Sequence, residues 1–374
     1  MDNFDVLTLA CPIEDGPVPA DFLPVDDPRI KVVALPAAHT PHRFAFEILK
    51  MHRSLAYVID NSVYLHFAIG GLFGDWGSVC ALIAHGKGRQ FAVWTDRVES
   101  QVAAHQARLR KGPKRFYYTA IAYLEKFYER EIIKRSALGL FHGMDCFEAY
   151  SPFSSNPHLV HNIHLGKESH STDAELQERL RYSGPLRIVY AGRAHSDKGI
   201  YDWIEALSEL QSSGFEFRAT WIGDGPELEN VRRLVSQTSP SLPIRFVGSV
   251  EHANAIRMLR SSDIFMFCHK TPESPRCLIE ALICGLPFVG YDAPYPRNLI
   301  GKNGGGILVP QDPKTLACAV RSAAEQRKEL TFKARMDGAH FDATSVFRHR
   351  SELMKSVGRA QSIEFVDQRN RHVG

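Results

Sequence analysis

Two spacings of apolar residues alternate along the second half of the chain. Short apolar runs bounded by Gly, Pro or Asp read as buried strands at Leu186–Ala191, Phe217–Ile222, Ile244–Val247, Ile264–Cys268, Phe288–Tyr291 and Gly306–Val309. Between them the apolar positions recur at helical intervals, over Tyr201–Gln211, Glu227–Ser236, Ala253–Arg260, Cys277–Ile283 and Lys314–Gln326. Alternating strand and helix implies a parallel, doubly wound α/β sheet. Ligands of such sheets bind beyond the carboxyl ends of the strands, in the loops that follow them.

The first half is less regular. Strands are expected at residues 5–10, 30–35, 54–60 and 90–95, helix over about 103–134, and helix again over Phe341–Arg359. From Ser151 to Ser183 the periodicity weakens and Ser, Asn, His, Pro and Gly accumulate, so this stretch reads as a linker. A chain of 374 residues is long for one core and fits two α/β domains, one over 1–168 and one over 184–340.

Bulk composition adds mainly exclusions. With 44% hydrophobic and 23% charged residues the chain is neither disordered nor fibrous, and a net charge of +3 gives nucleic-acid binding no electrostatic support. No apolar run approaches the roughly 20 residues that span a bilayer, and the opening Met1–Asp5 has no basic stretch leading into an apolar one. The seven cysteines are scattered with no CxxC pair, which suits reduced thiols and a cytoplasmic setting.

The informative residues lie in three loops of the second half. Gly192-Arg193-Ala194-His195-Ser196-Asp197-Lys198-Gly199 offers two cations, a flexible backbone and a helix start, a combination suited to a diphosphate. It also reads as a surface turn with solvated charges. Gly223-Asp224-Gly225-Pro226 lets backbone approach a ligand, or is ordinary turn chemistry. Lys270-Thr271-Pro272-Glu273-Ser274-Pro275-Arg276-Cys277-Leu278-Ile279-Glu280 places one carboxylate in a loop and a second on an apolar helix. Glu280 there needs a salt-bridge partner or a ligand hydroxyl to offset its desolvation. Cys284-Gly285 then ends the helix with a glycine C-cap.

Taken in this order the three loops resemble the C-terminal domain of the retaining GT-B glycosyltransferases of glycosyltransferase family 4, the glycosyl transferases group 1. That family carries G-R-x-x-x-x-K-G, G-x-G-P and E-x7-E-A-x-x-x-G-x-P, and the likeness runs from about Leu186 to His340. The resemblance implies two facing Rossmann-like domains with parallel sheets, the last helix (341–374) crossing back to the first domain. It implies an enzyme, a metal-independent glycosyltransferase of hexosyl type, with a nucleotide-sugar donor of UDP or GDP type and no cofactor. Arg193 and Lys198 would hold the diphosphate, Glu280 the ribose hydroxyls and Glu273 the donor sugar. Gly192, Gly223, Gly225, Ser274, Cys277 and Leu278 would line the donor site, with Val247 and Gly248 at the base. One departure stands out: Glu273 and Glu280 are one residue closer than the family pair, with Ser274-Pro275-Arg276 replacing its glycines. Proline offers no N–H, and Arg276 would either supply phosphate contacts instead or recognise a charged donor.

The first half matches the family less well. Phe4–Leu9 looks like the family's second strand with no glycine pair before it, so the first domain is expected to lack its first β-α unit, or to be reduced. Asp96 or Arg97 occupies the place where relatives often carry a histidine on the donor sugar; an ordinary strand-end turn is the competing reading. His142 and Gly143 stand where the family has a serine turn, and a lone histidine is more often structural. Arg108, Arg110, Lys111, Lys114 and Arg115 cluster beside Phe116, Tyr117 and Tyr118. This is either a solvated helix face or a peripheral contact with an anionic membrane carrying a lipid-linked or glycan acceptor. By the resemblance, polysaccharide or lipid-linked glycan assembly is the expected setting. The rival readings are a non-catalytic sugar-nucleotide-binding protein and a sugar-nucleotide epimerase or hydrolase.

Overall fold

The computed structural model describes residues 5–13, 27–271 and 273–371, with side chains as far as Val357. The chain divides into two compact units. The first comprises residues up to His142, Cys146–Val160 and His349 onward; the second comprises His161–Arg348 with Gly143–Asp145.

In chain order the first unit contains β1 (Leu7–Ile13), β2 (Ile30–Pro36), α1 (Pro41–Asp60), β3 (His66–Ala68), α2 (Trp76–Gly86), β4 (Ala92–Thr95), α3 (Glu99–Arg108), α4 (Pro113–Arg135), β5 (Leu138–His142), α5 (Gly143–Tyr150) and β6 (Pro157–Val160). All pairings are parallel. They form a four-stranded sheet in the order β3-β4-β5-β6, and β1 with β2 make a separate two-stranded ribbon. A cavity of about 470 Å³ lies against residues of both β1 (Thr8, Ala10, Cys11) and β3 (His66, Phe67, Ala68). Among the described residues no strand lies between β1 and β3.

The run 54–60, expected as a strand, is the last part of α1. Phe44, Leu55 and Ile59 are its buried residues, and the spacing of Leu55 and Ile59 is helical. The stretch expected as a linker is also partly ordered. Its β6 is the edge strand of the sheet, which tolerates the proline at its start. Strand β3 has three residues and was below the reach of any periodicity.

The second unit begins with α6 (Asp173–Arg181), then runs β7 (Leu186–Ala191), α7 (Ile200–Ser212), β8 (Phe217–Ile222), α8 (Leu228–Thr238), β9 (Ile244–Gly248), α9 (His252–Arg260), β10 (Ile264–Phe267), α10 (Arg276–Ile283), β11 (Phe288–Tyr291), α11 (Pro294–Ile300), β12 (Gly306–Val309), α12 (Pro313–Glu325) and α13 (Arg327–Gly338). Its six strands form one parallel sheet in the order β12-β11-β10-β7-β8-β9. The order reverses at β7, which puts the loops after β7 and β10 beside each other at a switch point. Both strands are buried almost throughout, and Trp203 and Trp221 pack edge-to-face in the same core. At the opposite end of β7, Asp263 receives both Arg187 (2.9 Å) and Arg327 (3.3 Å), a paired buried charge.

A last helix, α14 (Ala343–Arg371), closes the described chain. Its Leu353, Met354 and Val357 pack against Ala92, Leu138, Leu140 and Val160 of the four-stranded sheet, and Arg350 stands over Trp94. Among the described residues no helix is long and apolar enough to cross a membrane.

Candidate donor site

The site is built at the carboxyl ends of β7, β8 and β10. After β7 the chain turns sharply. Gly192 donates its N–H to the Ile222 carbonyl (2.8 Å), and Ala194 donates to the Asp224 carbonyl (2.9 Å). This ties the Gly192–Lys198 loop to the Gly223–Pro226 loop. The contact is so close that a Cβ on Gly223 would stand 2.2 Å from the Gly192 carbonyl oxygen, and one on Gly225 would stand 2.4 Å from that of Ala194. Here the two glycines are required by backbone approach. Gly223 also donates to Gly248 (2.8 Å), which brings the end of β9 against the same loop.

Gly199 is the N-cap of α7 in the left-handed region, φ +68°. A Cβ there would lie 2.0 Å from the Cys268 carbonyl, so the start of α7 is wedged against the end of β10. That packing carries Lys198 to Glu273, and the two form a direct ion pair with both side chains 15% exposed. The other Glu273 oxygen, Oε1, is buried with no hydrogen-bond partner; His269 Nδ1 stands 3.7 Å away. Burial, and then the Lys198 charge, hold His269 well below the usual histidine range, so it is neutral. Its Nε2 meets the Tyr190 hydroxyl at 2.8 Å.

Glu280 sits one turn into α10 and is joined by His252 of α9, Nε2 to Oε1 3.0 Å. His252 is half exposed, so this pair is solvated and weak. Arg193 and Arg276 are exposed, and among the described residues neither forms an ion pair to a carboxylate. Ser274 is buried, and Cys277 is partly so, its thiol pushed up by burial. Leu278 is fully buried in the core and its N–H turns to the Pro275 carbonyl, so its contribution is packing. Val247 packs at the core margin beside Gly248, φ +73°.

The structure therefore gathers Gly192, Arg193, Lys198, Gly223, Gly225, Gly248, Glu273 and Glu280 into one end of the second unit. Asp96 belongs to the first unit, exposed at the carboxyl end of β4 and on the rim of the cavity between β1 and β3. Its neighbour Arg97 is engaged by Glu99 at 2.7 Å. His142 is buried, with Nδ1 3.3 Å from the Val160 carbonyl across the β5–β6 pair, a structural contact. The residues that sequence reasoning missed are Tyr190, His252 and His269. His269 follows a buried strand directly and could have been found; His252 is brought to Glu280 only by the packing of α9 on α10.

Two parallel α/β units, the second with glycine-tied loops at its sheet's switch point, define a GT-B type of protein. Residues 171–336 match the family model described as glycosyl transferases group 1. Among curated relatives, an alpha-D-kanosaminyltransferase of Streptomyces kanamyceticus is 26% identical over 137 residues, 37% of this chain and 36% of that protein. A putative teichuronic acid biosynthesis glycosyltransferase, TuaC, of Bacillus subtilis is 28% identical over 150 residues, 40% of this chain and 36% of that protein. These matches span little more than a third of each relative's length. Among solved structures, HepE of Anabaena, in complex with UDP and glucose, aligns with a TM-score of 0.63 and 15% identity over 88% of this chain and 87% of that one. Sucrose-phosphate synthase of Thermosynechococcus elongatus aligns with a TM-score of 0.70 and 15% identity over 94% of this chain and 89% of that one. At such identities these two show the shared fold.

Proposed function

We propose that the chain is a retaining glycosyltransferase that moves a hexosyl group from a UDP- or GDP-type nucleotide sugar to a hydroxyl acceptor without a metal. The observation that carries the reading is the Lys198–Glu273 pair beside the tied glycine loops, with one Glu273 oxygen left without a partner in a buried place. In this reading Arg193, Lys198 and Arg276 receive the diphosphate. They neutralise the charge that develops as the bond from the anomeric carbon to the phosphate oxygen breaks. The acceptor oxygen bonds to the same face of that carbon, and the departing phosphate oxygen takes the acceptor proton. The free Glu273 oxygen accepts a donor-sugar hydroxyl, Glu280 the ribose hydroxyls, and Asp96 is the first unit's candidate contribution to catalysis. Binding of UDP and glucose by HepE is in keeping with such a donor.

An acceptor in polysaccharide or lipid-linked glycan assembly, met at an anionic membrane surface, completes the proposal. What supports it is α4, where Phe116 (81%), Tyr123 and Phe127 are exposed beside Arg115, Lys126 and Arg130. The test is a thermal-shift screen of UDP and GDP on the native protein and on Glu280→Ala. A rise in melting temperature confined to the native protein is expected; no shift with any nucleotide refutes the donor site. The anomeric configuration of the product, read by proton NMR, decides retention.

A further inference from the structure

A second cavity, of about 400 Å³, opens in the first unit among α3, α4 and the end of α5. It shares none of its lining with the donor-site loops. Its floor carries Glu129, 3% exposed, with neither carboxylate oxygen hydrogen-bonded. The Tyr150 hydroxyl is likewise buried, and it and Ser100 are the polar groups beside the carboxyl, near enough to lower its pKa. Walls of Val98, Ala104, Ala107 and Ala122 are apolar, while Arg108, Arg115, Lys126 and Arg130 stand at the mouth. Among the described residues none of Arg108, Arg115 and Lys126 is ion-paired to a carboxylate; Arg130 lies over the Phe153 ring at 4.2 Å.

A buried carboxyl without partners costs stability at that position. Neither oxygen meets a donor in full hydrogen-bond geometry, and Arg108, Arg115 and Lys126 stand exposed. A ligand that spans the cavity resolves both halves. Its hydroxyl groups would exchange hydrogen bonds with Glu129 and Tyr150, and its anionic end would lie among the four cations.

We infer that this cavity is a binding site for a phosphorylated polyol, its hydroxyls on Glu129 and Tyr150 and its phosphate at the Arg108–Arg115–Lys126–Arg130 mouth. The ligand is either a soluble phosphate ester or the headgroup of a phospholipid, which carry the same chemistry. This inference does not depend on sugar transfer by the second unit.

Calorimetric titration of the full chain with glycerol 3-phosphate, inorganic phosphate and glycerol, and co-sedimentation with phosphatidylglycerol or phosphatidylcholine vesicles, test it. Glycerol 3-phosphate or phosphatidylglycerol is expected to bind. Affinity should fall about tenfold or more, ~1.4 kcal/mol, in Glu129→Leu and in the double reversal Arg115→Glu with Lys126→Glu. The reversal alters only exposed residues, so it folds even if the core substitution does not. Binding of the soluble ester alone assigns a free ligand, and binding of the vesicles alone assigns a lipid headgroup. The inference fails if neither binds, if inorganic phosphate binds as tightly as the ester, or if both variants bind like the native chain. Vesicle binding that Glu129→Leu leaves intact belongs to the exposed face of α4 and also counts against the cavity.

Discussion

Glu129 couples its ionisation to folding. Desolvation pushes its carboxyl up to about 7 from an ordinary 4.5, against smaller lowering by Tyr150 and Ser100 and with Glu125 and Glu99 adding repulsion. A raised folded pKa means that the native state holds the proton more tightly than the unfolded chain. Its contribution is present in full below about pH 4.5, and it is lost as pH climbs through 7. Glu125, also pushed up to about 7, acts in the same direction. We expect urea unfolding of Glu129→Gln to match the native chain near pH 4.5 and to exceed it by up to roughly 3 kcal/mol at pH 8.5, the size of a shift of that extent. A gap independent of pH would mean that the carboxyl is not the cause. In the proposed donor site the sensitive residue is Lys198. If it holds the leaving group as proposed, its replacement by alanine removes that cation and strands Glu273, so kcat/KM should fall about 100-fold or more in a donor-hydrolysis or transfer assay. A loss below about threefold would place the phosphate elsewhere.

At the scale of elements, the hinge of the site is the start of α7. Gly199→Ala imposes a left-handed backbone on a residue with a Cβ and drives that atom into the Cys268 carbonyl. The expected loss is roughly 2–5 kcal/mol in denaturant melts, with nucleotide binding weakened because Lys198 precedes the same glycine. How much of this was legible follows from how each element is encoded. The second unit's strands are continuous apolar runs because both faces of a parallel sheet are covered, so their limits could be read within a residue or two. In the first unit an apolar run within α1 imitated a strand, since five residues span too little chain to separate the two periods. Thr172-Asp-Ala-Glu175 carried a readable signal that was passed over, for it forms a reciprocal capping box at the start of α6. Helix α13 follows α12 after Gln326 alone, and nothing in the local pattern marks that break. The glycine loops, Lys198 and the two glutamates were singled out by their loop chemistry together with the family resemblance. The Lys198–Glu273 pairing and the histidines beside each glutamate depend on long-range packing that no local pattern records.

For the whole molecule, the main hydrophobic cores are separate. One gathers the strands and helices of the second unit around Trp203 and Trp221; the other gathers Phe44, Trp76, Phe91 and Phe141 of the first. A nucleotide held by the second unit should therefore raise the melting of that unit's core by mass action and leave the first largely where it was. Calorimetric scans with and without the nucleotide that responds in the thermal-shift screen check this. Equal shifts of all the heat absorbed would show one cooperative block. A different consequence concerns β1 and β3. Among the described residues no strand joins them, and Leu35 is the β1–β2 ribbon's buried residue, while Leu7, Leu9 and Ile13 stay in contact with water. Amide protons of this ribbon should thus exchange with deuterium through local openings far less costly than global unfolding, while those of β5 wait for the whole unit to open. The ribbon is the foldon on which a protease would first act.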